Sequence, residues 1–522
     1  MQDATQILNT LDNTRVTQRD YSDVQWQYVQ DQNGGTFSNM VQFNTQILKT
    51  YFIDYHNAYI QLPFTVSSGG TAYDGSEAIA FRDSILQLFN QLIVTTDTGM
   101  SLLNENVSPF YINSLRLHLE QNTDYFKVMG SQLHMAETID KWLDVQTPGT
   151  INSFVKNGDR LAATWNTNSA AYGTVAVMND ANRYLYGTTG DAGTTLPIVG
   201  ENKYFNPAFF QRVGIFKNMT TFTSGKYSGI AMIPLALLHD FFRQFNIAVI
   251  NLGLQFQLYL TQPEGIVQNQ QMFMTAAGVN AASIGQPIVS YGIQSDIKQT
   301  ARLYVRNVKF NAADSIRMNA KLSENFTKSI NFISTDYIPD RSSAGTSFGG
   351  ETAVFFQQEV VSSIVYPLRL WMLCYPDVAV SSDPAAMRWP TSSYPYYLDQ
   401  ANVMINGVPY WKLPLKFPQD HWEMLKDNFP SLNSTVITYN DFIRFGSVMC
   451  FDLQRLGLER ITSPTEPVSL TVQGTLTKAP GNNYAGSCKV VYLIERMNEI
   501  TFSFGSQTTS LVVGNISLNN TA

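Results

Sequence analysis

Apolar and polar side chains alternate with a period of two over much of the chain. From Asn57 to Val66, one side carries Ala58, Ile60, Leu62, Phe64 and Val66, and the other Tyr59, Gln61, Pro63 and Thr65. That pattern predicts a half-buried strand. Pro63 has no amide hydrogen for a ladder, so this strand is expected at a sheet edge or a bulge. The alternation returns at Leu252, Leu254, Phe256, Leu258 and Leu260, and again at Val468, Leu470, Val472 and Leu476. Long alternating strands separated by Gly- and Asn-rich stretches predict antiparallel sandwiches.

Helical periodicity is confined to short stretches. Asn311 is a candidate N-cap, Asp314 follows in the first turn, and Met318, Leu322 and Phe326 recur at i+4 spacing. A helix over 312–326 is expected to join two halves of the chain. Two more are expected over 108–120 and 419–428, the second bounded by Pro418 and Pro430. Near the start, Ala4, Ile7, Leu8 and Leu11 share one helical face. The remainder of 1–35 is polar and ends at Gly34-Gly35, so 1–35 is read as an N-terminal arm.

The two halves repeat a pattern with little identity. Phe37 to Phe43 followed by Leu62-Pro63-Phe64 is matched with Ser329 to Ser334 followed by Ile364-Val365-Tyr366-Pro367-Leu368. Each half also closes alike. Leu252 to Leu260 and then Leu303 to Val308 answer Leu470 to Leu476 and then Val490 to Arg496. The expected domains are a first sandwich over 36–311, the helix at 312–326, a second sandwich over 327–506, and a tail at 507–522.

Composition narrows the function. At 522 residues the chain is long enough for two cores. Only 14% of residues are charged, so its polar surface is mostly uncharged Asn, Gln, Ser and Thr, which suits packing against other copies. The net charge of −7, and an arm with Arg15 and Arg19 against five aspartates, argue against gripping nucleic acid. Cys374, Cys450 and Cys488 are too widely spaced for a CxxC site. Asn-x-Ser/Thr triplets at Asn106, Asn218, Asn325, Asn433, Asn515 and Asn519 are read as chance in an Asn- and Thr-rich chain. No signal peptide or membrane span is expected.

The chemical fragments do not assemble into a site. Asp83, Glu105 and Glu120 lack the spacing of a glycosidase pair and are read as loop or capping acids. Gly34-Gly35 and Gly349-Gly350 precede strands, which is the wrong context for a phosphate loop. His421 and Trp422 beside Asp420 and Glu423 are read as a helix-surface cluster, and Cys374 as a core thiol. Trp26, Trp371, Trp389 and Trp411 fit either a sugar platform or core and interface packing. No catalytic residue, metal ligand or cofactor is assigned.

A strand, a helix and a fresh strand at mid-chain resemble the junction of double jelly-roll capsid proteins. This family includes those of virophages, polinton-like viruses, nucleocytoplasmic large DNA viruses and the adenovirus hexon. Asn402-Val-Met-Ile-Asn-Gly407 followed by Pro414 to Pro430 is similar to a strand and tower-loop run of the second roll, and Val490 to Phe504 to its last strand. The resemblance covers 36–506 and rests on the order of elements. It implies an all-β fold of two tandem antiparallel eight-stranded jelly rolls with short helices and long tower loops, the last sought in 121–200 and 261–300. It also implies a major capsid protein in the virion. Its homotrimeric capsomers would tile an icosahedral shell beside penton and minor capsid proteins, an internal membrane being left open. The arm residues Ala4, Ile7, Leu8 and Leu11 are then expected to dock on a neighbour. A tandem β-sandwich spike or carbohydrate- or receptor-binding protein is the rival reading, and a carbohydrate hydrolase the third.

Overall fold

The computed structural model describes residues 21–36, 39–69, 78–81, 84–105, 115–137, 207–246, 248–250, 252–260, 273–276, 287–310, 326–338, 345–376, 396–430, 437–444, 448–453, 467–479, 487–504 and 509–514, with a few single positions between them.

The first roll contains β1 (Tyr21–Gln30), β2 (Met40–Asn44), β3 (Phe52–Ser68), β4 (Phe89–Thr96), β5 (Ser101–Glu105), β6 (Lys226–Pro234), β7 (Leu254–Leu260) and β8 (Arg302–Phe310). The second contains β9 (Phe326–Ile338), β10 (Ala353–Ile364), β11 (Pro367–Pro376), β12 (Tyr396–Ile405), β13 (Val408–Pro409), β14 (Met449–Asp452), β15 (Val468–Lys478) and β16 (Cys488–Phe504). One sheet of the first roll runs β1-β8-β3-β6 and the other β2-β7-β4-β5. The second roll repeats this order as β9-β16-β11-β14 and β10-β15-β12-β13. All these pairs are antiparallel. Each is a complete jelly roll, as expected.

Alternation explains the sandwiches. Ala58, Ile60, Leu62, Phe64 and Val66 of β3 meet Leu254, Phe256 and Leu258 of β7 in the first core, all essentially without solvent contact. Leu470, Val472 and Leu476 of β15 do the same in the second core, opposite Val490, Tyr492 and Ile494 of β16. Asn406 and Gly407 both have positive φ (51° and 80°), the two-residue geometry that Asn-Gly favours in a tight hairpin. They join β12 to β13.

Four expectations about the strands need correction. Residues 21–30, assigned to the arm, form β1 and pair with β8 along their length, from Tyr21↔Phe310 to Gln30↔Arg302. The true counterpart of β9 is therefore β1, and the matching of Phe37–Phe43 with Ser329–Ser334 was one strand out of step. The 364–368 run is not one strand, because β10 ends at Ile364, Tyr366 turns with φ of 50°, and β11 starts at Pro367. Pro63 lies in a central strand and not at an edge. On one side β8 reaches Gln61 and the short strand Pro287–Tyr291 begins at Phe64, so the proline falls in the gap between them.

Short helices fill the ends: α1 (residues 115–120), α2 (Thr123–Leu133), α3 (Pro207–Met219), α4 (Leu235–Leu238), α5 (Asp240–Gln244), α6 (Gln419–Asn428) and α7 (Tyr439–Arg444). Helix α6 has the expected bounds, and α1 is the described part of the helix expected over 108–120. The helix expected over 312–326 lies outside the described residues except at Ile316, which is helical, and Phe326, which opens β9. The supposed loop over 121–200 begins with α2, and 261–300 contains the strands Phe273–Ala276 and Pro287–Tyr291. Most of the remainder of both stretches lies outside the described residues. Among the described residues no helix is long and apolar enough to cross a membrane.

Candidate functional site

The contact between the rolls is built by two elements of the first roll. Pro234 closes β6, and the chain turns through α4 into α5, where the His239 ring accepts a hydrogen bond from the Phe241 amide at 3.0 Å. Phe241 and His239 then stand against Phe332 of β9, with ring centroids 5.3 and 5.8 Å apart, and Phe245 stacks on Phe502 of β16 at 5.2 Å. Ile330, Phe332, Ile500 and Phe502 thereby join the buried core of the first roll. Asp240 accepts the Ile333 amide at 2.7 Å and pairs with Arg243 at 2.6 Å. Burial pushes the Asp240 carboxyl up, but Arg243, the Ile333 amide and Arg116 outweigh it and hold the carboxyl below its ordinary value.

The second element is α1. Leu115 and Leu119 pack on Trp371, Leu373 and Leu493, on the outer face of the second roll's β9-β16-β11-β14 sheet. Between them Arg116 donates to Glu495, which also accepts Trp371 Nε1 at 2.9 Å and has Arg369 at 3.3 Å from its other oxygen. Burial disfavours the Arg116 cation, yet Glu495, with Asp240 and Glu120, raises its pKa overall. A buried charge of this kind is stable only when paired and hydrogen-bonded. Sequence reasoning placed Glu495 in the last strand and missed this role. The available signal was a carboxylate directly after the apolar run Val490 to Ile494.

Burial lowers His421 from 6.5 to about 4 and His134 from 6.5 to about 3. His421 faces inward from α6 and is 3% exposed, so the expected surface cluster with Asp420 and Glu423 does not form. Cys374, Cys450 and Cys488 are buried free thiols, and burial pushes Cys450 further up. Among the described residues no three His, Cys, Asp or Glu side chains gather to hold a metal. A cleft of 370 Å³ in the second roll lies between Asp336, Val361, Ile364 and Arg496, and its carboxylate is paired with the arginine at 3.1 Å. Glu105 ends β5, Glu120 pairs with Arg243 at 3.2 Å, and Asp83 lies outside the described residues.

One sheet face is aromatic and open. On the outer side of β1-β8-β3, Tyr59 stacks on Tyr304 at 4.9 Å, Trp26 tilts against Tyr59 at 5.3 Å, and Tyr28 lies 5.5 Å from Tyr304. The Arg302 guanidinium sits 4.7 Å over the Tyr28 ring. Trp26 and Tyr28 are 49% and 46% exposed. Trp371 is buried in the other roll and Trp411 packs at the second core, so among the described residues these tryptophans form no common platform. Trp389 and the arm residues Ala4, Ile7, Leu8 and Leu11 lie outside the described residues.

Two tandem jelly rolls of identical strand order, packed through a shared core, make this a double jelly-roll protein. Its fold is similar to a chain in the cryo-EM structure of the Sputnik virophage, with a TM-score of 0.58 and 13% identity over 97% of this chain and 92% of that one. The mavirus major capsid protein gives a TM-score of 0.49 at 11% identity, over 97% of this chain and 93% of that one. No protein-family model and no curated protein matches the chain.

Proposed function

We propose that the chain is the major capsid protein of a DNA virus, forming homotrimeric, pseudo-hexagonal capsomers that tile an icosahedral shell in the virion. The observation that carries this reading is the fold shared, over almost the whole chain, with a chain of the Sputnik virophage particle. The packed junction supports it, because rolls joined through one core move as a block, and a shell tile must keep its outline. The low charge supports it too, since mostly uncharged polar surface favours contact between copies. Penton and minor capsid proteins are the expected partners, and the net charge of −7 leaves genome contact to other proteins. The arm residues Ala4, Ile7, Leu8 and Leu11 dock on a neighbouring subunit or minor protein. Sedimentation velocity with negative-stain electron microscopy at micromolar concentration tests the reading. Trimers of six-lobed outline that go on to larger arrays are expected, and a stable monomer overturns it. Trimers that never assemble further favour the spike reading instead.

A further inference from the structure

The turn between β1 and β2 buries two side-chain oxygens that no donor among the described residues reaches. It runs Asp31-Gln-Asn33-Gly-Gly35-Thr36 and joins one sheet of the first roll to the other. Gly34 and Gly35 both have positive φ (65° and 78°), so the chain folds back on Asp31. The Gly35 amide donates to Asp31 Oδ1 at 2.6 Å, which points the carboxylate into the turn. Its second oxygen, Oδ2, is buried there and has no hydrogen-bond partner among the described residues. Asn33 Oδ1 is buried without a partner in the same way, while the Asn33 carbonyl accepts the Thr36 amide at 3.3 Å.

Asp31 is 7% exposed, and a buried carboxylate is costly unless a cation and hydrogen bonds compensate it. One amide does not neutralise its charge. Two acceptors without a donor make surroundings that favour a positive ion. A carboxylate followed two residues later by a carboxamide is also the spacing with which calcium loops begin. The turn matches only that opening, so main-chain carbonyl and water oxygens must complete the shell, as they do around calcium elsewhere. Magnesium holds its waters and demands near-octahedral geometry, so it fits a fixed turn less well.

We infer that the 31–36 turn is a calcium site, with Asp31 Oδ2 and Asn33 Oδ1 as its side-chain ligands. The place gives the ion a structural task. The Asp31 amide donates to the Ala301 carbonyl at 3.1 Å and the Gln32 amide to the Gln42 carbonyl at 2.8 Å. The Ile293 amide donates to the Gly35 carbonyl at 3.1 Å, and a Cβ on Gly35 would collide with Ile293. The turn thus ties β1 and β2 to the chain that leads into β8. Calcium held there fastens both sheets of the first roll at one end and neutralises the Asp31 charge.

The inference does not depend on assembly, and dilute full-length chain tests it. Protein stripped with EGTA is titrated with calcium chloride by calorimetry, and its melting is followed with and without excess calcium. Binding with a Kd of about 10⁻⁴–10⁻³ M is expected, with a melting temperature raised by about 2–4 °C at saturation. Magnesium chloride should raise it less. Asp31→Asn keeps an oxygen for the Gly35 amide and removes the charge. It should melt near the native chain in EGTA and lose the calcium shift. Asn33→Ala should move the calcium midpoint up at least about tenfold, through the loss of one ligand. A melting temperature that ignores calcium overturns the inference and leaves water on these oxygens. A calcium shift that survives Asp31→Asn also overturns it, by placing the ion elsewhere. Should Asp31→Asn fail to fold, Asn33→Ala decides, and an unmoved midpoint overturns the site.

Discussion

Glu495 in the last strand of the second roll is held by Arg116 of the first roll, 379 residues earlier in the chain. Their side chains are 0% and 6% exposed, so this pair is a polar lock inside an apolar contact. Removing one partner leaves an uncompensated buried charge, which typically costs about 3–5 kcal/mol. Arg116→Ala is therefore expected to lower the unfolding free energy obtained from urea titration by an amount in that range, moderated by Arg369 and Trp371, which remain on Glu495. Arg116→Met combined with Glu495→Gln should recover much of the loss, since no buried carboxylate is then left unpaired. A double variant destabilised by the sum of the two single changes would mean that the charges are not coupled.

The aromatic contact beside the lock makes a separate prediction. Phe332 is 2% exposed and sits between Phe241 and His239. Phe332→Ala should cost about 3–5 kcal/mol, as buried aromatic truncations do. Because the lost contact joins the rolls, calorimetry should show the single transition broadening or splitting in two. A simple downward shift of one sharp transition would place the cost within one roll.

Acid should destabilise the fold well above the carboxylate range. His421 and His134 are neutral when folded, with pKa values lowered by burial to about 4 and about 3, against 6.5 when unfolded. Between those values the unfolded chain binds more protons, so stability falls as pH falls through that window and is complete above it. By pH 5 the loss is about 2 kcal/mol per histidine. Urea midpoints at pH 7 and pH 5 measure it, and His421→Leu should shrink the difference between them.

Gly474 lies within β15 where β12 bulges between Asp399 and Asn402. A Cβ there would sit 2.8 Å from the Asp399 carbonyl oxygen and 2.8 Å from Leu398 Cγ. Gly474→Ala is expected to destabilise by about 1–3 kcal/mol through overpacking, read as a lowered melting temperature. An unchanged melting temperature would mean that the bulge relaxes freely.

The position of β1 separates arm from core. On the proposed capsid reading, deleting residues 1–20 should leave the circular dichroism spectrum and the proposed trimer intact while impairing growth into larger assemblies. Deleting residues 1–30 removes β1 and exposes the edge of β8 and the buried Val29 site, so the first roll should lose its cooperative melting. Loss of folding in the shorter deletion would make the arm part of the core.

Strands with one dry face and one wet face were legible from alternation alone, as β3, β7 and β15 were. Strand β1 was not, because among its described side chains Val29 alone is buried, while Asp23, Gln25, Trp26, Tyr28 and Gln30 are exposed. Its place in the sheet comes from pairing with β8, and no local pattern encodes a partner almost three hundred residues away. The Asn406-Gly407 turn and the bounds of α6 were readable because their signals are local. The Arg116–Glu495 lock was not, since its members are separated by most of the chain. The open aromatic face was half visible: Trp26 stood out, but only the fold sets Tyr59 and Tyr304 beside it.

Ile500 and Phe502 lie near the end of β16, yet they are buried in the core of the first roll. A ribosome makes the chain from the other end, so the roll translated first stays incomplete until Ile500 and Phe502 of the second roll have emerged. Domains usually fold as units during synthesis, with the N-terminal one first; this chain ties the first unit to the completion of the second. A polypeptide released early, short of Ile500, keeps an open apolar seam and lacks the finished junction. The fold thereby contains a test of its own completeness, because a prematurely terminated chain lacks the residues that join the two rolls.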